Sequence, residues 1–178
     1  MRQLLEIADF LRALRRRLRF GEFSRAPLEI VRLELRGDRA ECDWMARPAD
    51  AWDADVCSRA VEECASWQTL ADAISLRALL LRELATVRTA GLRGYRLSRS
   101  GAPEMIIAGT IERDDPHLLR VPSPAMRAKL CGFEFHLEDG SLQPLEVDVA
   151  VAHRSARRTT RETGREPTLS RRTSHGSD

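Results

Sequence analysis

Leu28-Glu-Ile-Val-Arg-Leu-Glu-Leu-Arg-Gly-Asp-Arg-Ala-Glu-Cys-Asp-Trp-Met-Ala46 is a pair of strands joined by a tight turn. Apolar and polar residues alternate on both sides of Gly37-Asp38, and a two-residue loop with glycine first suits a type II′ turn, whose twist matches paired strands. Closing the ladder there sets Arg36 opposite Arg39, Leu35 opposite Ala40, Leu33 opposite Cys42 and Val31 opposite Trp44. Side chains alternate along a strand, so Val31, Leu33, Leu35, Cys42 and Trp44 are expected to face the core. Arg32, Glu34, Glu41 and Asp43 share the other face. There Arg32 opposite Asp43 is favourable and Glu34 opposite Glu41 is not, each by a few tenths to about 1 kcal/mol. The three carboxylates are a conceivable cluster for a metal or for acid–base work. Alternating charge on the wet side of a sheet is the plainer account.

Working outward, residues from about Arg2 to Arg19 have the spacing of an amphipathic helix, with Leu4, Ile7, Leu11, Leu14 and Leu18 on one stripe and Gly21 as a candidate C-cap. Its outer side carries Arg12, Arg15, Arg16 and Arg19, which either form a solvated face that complements the helix dipole or a patch for polyanions. After the hairpin comes an acidic loop holding Trp52, either an interaction anchor or a lid on the core. Residues from Asp55 to about Val87 hold no proline or glycine and are expected to be helical, with a break near Thr69-Leu-Ala-Asp72, which resembles a capping box. The apolar stripe of this region is wide, which calls for contact on more than one side: the sheet and the first helix, or a partner subunit.

Two strand candidates follow, Leu92–Leu97 and Glu104–Glu112; the second is nearly all apolar and is expected to be central. Gly109 within it marks a bulge or close packing. Ser123 is placed to cap a short helix from Pro124 to about Cys131. Phe133–Leu137 alternates as a strand, Asp139-Gly140 has the composition of a type I′ turn, and the return strand from Leu142 carries Pro144, an edge-strand mark. From Ala152 onward apolar residues almost vanish, and a basic disordered tail over 151–178 is expected, after one α+β domain over 1–150. The whole is therefore read as an α+β fold: an N-terminal amphipathic helix, a mainly antiparallel sheet of about six strands built from hairpins, and a long helical region on one face.

The net charge is +2, and residues 152–178 hold seven arginines against Glu162, Glu166 and Asp178, so the basic character lies at the chain ends. No apolar run is long enough for a membrane span and no secretory leader is visible, so a cytoplasmic location is expected. None of Cys42, Cys57, Cys64 and Cys131 forms a Cys-x-x-Cys pair. Cys57 and Cys64, two helical turns or about 10 Å apart, are beyond the roughly 7 Å reach of a disulfide. His117 and His136 have no zinc-like spacing to them. There is no phosphate loop, nucleophile elbow or His-Glu-x-x-His, so no catalytic residue, cofactor or metal is expected.

From about Leu70 to Leu137 the order helix, strand, strand, helix, strand, with Ala108-Gly109-Thr110-Ile111 in the second strand, resembles a BON domain. That resemblance spans under half the chain and implies binding to phospholipid or a membrane surface. Two functions are thus expected: a non-enzymatic protein-interaction or scaffold module, self-associating or with a protein partner, or a binder of nucleic acid or an anionic surface through the arginine-rich ends.

Overall fold

The computed structural model describes residues 2–48, 50, 58–113 and 121–146. Trp52, Cys57, His117 and the expected disordered tail lie outside these residues. The chain divides into two units, Met1–Leu145 and Glu146–Asp178, and the fold described is that of the first. It is α+β. Its helices are α1 (Arg2–Arg17), α2 (Ser58–Glu83) and α3 (Pro124–Leu130). Its strands are β1 (Glu29–Arg36), β2 (Arg39–Met45), β3 (Thr89–Leu97), β4 (Pro103–Glu112), β5 (Phe133–Glu134), β6 (His136–Glu138) and β7 (Ser141–Gln143). There are seven described strands, five in one mainly antiparallel sheet of order β1-β2-β3-β4-β5 and two in a separate hairpin, β6-β7. None of the described helices is long and apolar enough to cross a membrane.

The first hairpin closes as its turn composition requires. Gly37 sits at φ 62°, and Arg36, Leu35, Glu34, Leu33 and Arg32 face Arg39, Ala40, Glu41, Cys42 and Asp43. Beyond Arg32 the register slips, and Ile30 rather than Val31 meets Trp44. One extra residue bulges the strand, which leaves Val31 60% exposed and removes it from the core face. The Asp139-Gly140 turn also forms, with both residues at positive φ (48° and 82°) as a type I′ turn demands.

The two long hairpins β1-β2 and β3-β4 lie side by side with β2 and β3 parallel, Asp43 beside Arg93 and Trp44 beside Gly94. Parallel neighbours need a long crossover, and α2 supplies it. The middle strand is therefore β3, and the apolar β4 beside it is interior too, paired with β3 and β5. The half-polar sequence of β3 reflects its two surroundings: Ala90 and Leu92 are buried under the helices while Arg93 and Tyr95 are only half-buried on the other side. Gly94 has a packing reason, since a Cβ there would come 2.7 Å from the Trp44 ring and 2.6 Å from Ile107.

Helix α2 runs unbroken through Thr69. The Thr69 hydroxyl donates to the Ala65 carbonyl at 2.8 Å, and Asp72 is drawn into an ion pair with Arg47, so neither is free to cap a new helix. The helix touches α1, α3, β3 and β7 and buries Leu70, Ala73, Leu76, Leu79, Leu80 and Leu81, so its wide apolar stripe is used within the chain. It stops at Glu83 rather than Val87 because Arg113 intervenes. That guanidinium donates to the carbonyls of Leu81 (2.8 Å), in the last turn of the helix, and of Leu84 (2.8 Å) and Val87 (2.8 and 2.6 Å) in the turn that follows it.

At the N-terminus α1 ends at Arg17, and its buried stripe is Phe10, Ala13 and Leu14, while Leu4 and Leu5 are exposed. Gly21 is not its cap: it is not in the left-handed region, and its N–H donates to Ser24 O at 2.7 Å. Ser123 does cap α3, accepting from the Met126 N–H. The expected strand Phe133–Leu137 is split between the two sheets as β5 and β6, and β7 ends before Pro144. Gly109 packs closely, beneath the Gly132 carbonyl and Phe133.

Candidate functional site

The arginines of α1 face outward because Phe10, Ala13 and Leu14 take the other side of the helix into the core. At 3.6 residues per turn Leu5, Ala8, Arg12, Arg15 and Arg16 share the solvent side. Arg12 pairs with Asp9 at 3.1 Å, a pair in open solvent. Arg15, Arg16, Arg17 and Arg19 are exposed and form no ion pair among the described residues. Phe20 and Phe23 in the following loop are 60% and 39% exposed, and the Arg19 guanidinium lies 5.1 Å from the Phe20 ring centre. Beside them Leu14, Leu18, Pro27 and Leu28 floor a crevice of about 400 Å³ flanked by Arg15 and Arg19. The sequence pointed to Arg12, Arg15, Arg16 and Arg19. Arg17, Phe20 and Phe23 were missed, although two phenylalanines close behind an arginine run were the available sign.

This loop is held from beneath. The Arg47 side chain, fully buried, donates to Asp72 Oδ2 at 2.8 Å, to Ala26 O at 2.7 Å and to Leu18 O at 2.8 Å. Gln68 donates to the second Asp72 oxygen at 2.9 Å and accepts the Phe23 N–H at 2.7 Å. Burial pushes the Asp72 carboxyl above its usual range, and the Arg47 charge with the Arg47 and Gln68 hydrogen bonds pulls it back part of the way. The network thus ties α2 to both ends of the loop and fixes the course of the backbone from which Phe20 and Phe23 project.

The other charged surface is the sheet face away from the helices. Strand β3 adds Arg93, which donates to Asp43 at 2.7 Å and Glu41 at 2.8 Å. Glu34 is bound by Arg32 (2.9 Å) and Arg36 (2.8 Å), and the hydrogen bond from Arg32 holds its carboxyl below the ordinary value. Each of the three carboxylates is therefore occupied by arginine. The face is less wet than its charge suggested, since Asp43 is buried. Parallel pairing of β2 with β3, invisible in either strand alone, is what delivers Arg93.

A groove of about 1220 Å³ runs past the ends of β2 and β3, between α2 and β7. Its polar lining is largely committed within the chain: Arg96 donates to Glu104 and to Leu142 O, and Ser66 accepts the Leu142 N–H. The lone described histidine, His136, is exposed and outside it. No protein family, curated protein or solved structure matches the chain. The order α2, β3, β4, α3, β5 follows the expected order of elements, and no family model supports the BON likeness drawn from that order and from Ala108-Gly109-Thr110-Ile111.

Proposed function

We propose that this chain is a non-enzymatic binding module that attaches to an anionic surface, an acidic lipid bilayer, through the outer side of α1 and the loop after it. The supporting observation is the set of arginines without carboxylate partners among the described residues, Arg15, Arg16, Arg17 and Arg19, beside the exposed rings of Phe20 and Phe23. An arginine near an acidic membrane contributes about 1 kcal/mol, and apolar side chains entering the interface add a part that salt does not screen. Exposed Leu4 and Leu5 extend that apolar part along the same helix. The likeness to a family linked with phospholipid binding points the same way.

The test is co-sedimentation of the full chain with vesicles of neutral phospholipid, with and without an anionic phospholipid. Binding is expected only to the acidic vesicles and to weaken steeply with salt. Arg15→Glu with Arg16→Glu and Arg19→Glu should abolish it. Phe20→Ser with Phe23→Ser should leave binding at low salt and remove what persists at high salt. No binding to acidic vesicles at low salt ends the reading.

A further inference from the structure

The outer edge of β1 carries no neighbouring strand among the described residues. Arg36 and Arg39 flank a two-residue turn, so they exchange backbone hydrogen bonds, as do Glu34 with Glu41 and Arg32 with Asp43 two residues on. The N–H and C=O groups of Leu33 and Leu35 therefore point away from β2, toward the open edge. Leu33 and Leu35 are half-buried, and the bulged Val31 at the far end of the strand is 60% exposed. Such an edge is a template for another strand.

We propose that β1 pairs antiparallel with β1 of a second copy of this chain, about a twofold axis at Leu33, joining two five-stranded sheets into one. The pattern of the strand is self-complementary in this register. Leu33 meets the second copy's Leu33 as a hydrogen-bonded pair. Arg32 meets the second copy's Glu34, and Glu34 meets its Arg32, at the neighbouring positions where opposed side chains come closest. Arg32 and Glu34 are already 2.9 Å apart within one chain, so the two copies close a ring of four alternating charges. Other registers fail. An axis at Glu34 opposes Glu34 to itself and Arg32 to Arg36; an axis at Arg32 opposes Arg32 to itself. An axis at Leu35 keeps opposite charges together but leaves only Glu34–Arg36 of the strand to pair before the Gly37-Asp38 turn. Charge at a sheet edge commonly prevents pairing; here it selects one register and one partner, another copy of the same strand.

The surface is distinct from the arginine end of α1, so the test is independent of lipid binding. Analytical ultracentrifugation of the full chain should show a concentration-dependent dimer. Arg32→Glu alone or Glu34→Arg alone places like charges opposite each other twice, and should raise the dimer dissociation constant roughly tenfold or more. The double swap, Arg32→Glu with Glu34→Arg, restores the alternation and should restore the dimer, while circular dichroism confirms that all variants are folded. A chain that stays monomeric at the highest concentration reached overturns the proposal. So does a dimer indifferent to Glu34→Arg, or one that the double swap fails to recover.

Discussion

Cys42 lies in the core face of β2, fully buried, and that burial, helped by the Asp43 charge, pushes its thiol from an ordinary 9.0 up to about 12. The folded chain therefore holds this proton to higher pH than the unfolded chain. Its contribution to stability is complete below pH 9.0 and is lost as pH rises toward about 12. In urea unfolding across that interval, Cys42→Ala should lose less stability with rising pH than the unaltered chain. Near neutral pH, iodoacetamide should modify half-buried Cys64 ahead of buried Cys42 and Cys131, as read by peptide mass spectrometry. That Cys42 is a core residue was legible in the sequence, because strand alternation places it beneath the sheet with Leu33 and Trp44. Val31 was misplaced by the same rule, because a bulge is a backbone event that leaves no alternation error until the far end of the strand. The close fit of Gly94 under Trp44 was not legible either, since those residues meet only across the β2–β3 pairing.

At the scale of elements, local signals performed where the partner groups are local. Both tight turns formed because Gly37 and Asp139-Gly140 supply positive φ within two residues of the strands they join. Ser123 capped α3 because the N–H it accepts is three residues away. The ends and continuity of α2 depended instead on distant groups. Thr69-Leu-Ala-Asp72 has the residues of a capping box, but Arg47, from the end of β2, claims Asp72. The helix has no glycine stop; Arg113, 26 residues beyond Val87, binds the Leu81 carbonyl in its last turn and the Leu84 and Val87 carbonyls just past its end. Removing that group takes this donor from the Leu81 and Val87 carbonyls at once, while Leu84 keeps the Val87 N–H. Arg113→Ala should cost about 2–3 kcal/mol of unfolding free energy in urea titration, at the level of hydrogen bonds from a charged donor. Arg113→Lys should recover only a small part, since a point charge cannot span three carbonyls as a planar fork does.

Across the whole molecule, the Arg47–Asp72–Gln68 network joins the loop after α1, the end of β2 and the middle of α2, and it sits beneath the proposed lipid-binding loop. Asp72→Ala leaves the fully buried Arg47 charge without its counterion. It should lower stability by about 3–5 kcal/mol in urea unfolding, and, because the loop loses its anchor, it should also weaken vesicle binding in the fraction that remains folded. An equal loss of stability with vesicle binding intact would separate the network from the surface above it. The sequence by itself determined the α+β class, the two tight hairpins, the capped short helix, the long helix and the outward arginines of α1. Each of these is set by periodicity or by groups within a few residues of one another. Tertiary structure alone decided that β2 and β3 are parallel neighbours, that Arg93 pairs with Glu41 and Asp43 of the first hairpin, that Asp72 serves a buried ion pair, and that the outer edge of β1 has no strand beside it among the described residues. Those outcomes hang on contacts between residues far apart in the chain, whose strength comes from burial and register rather than from local spacing.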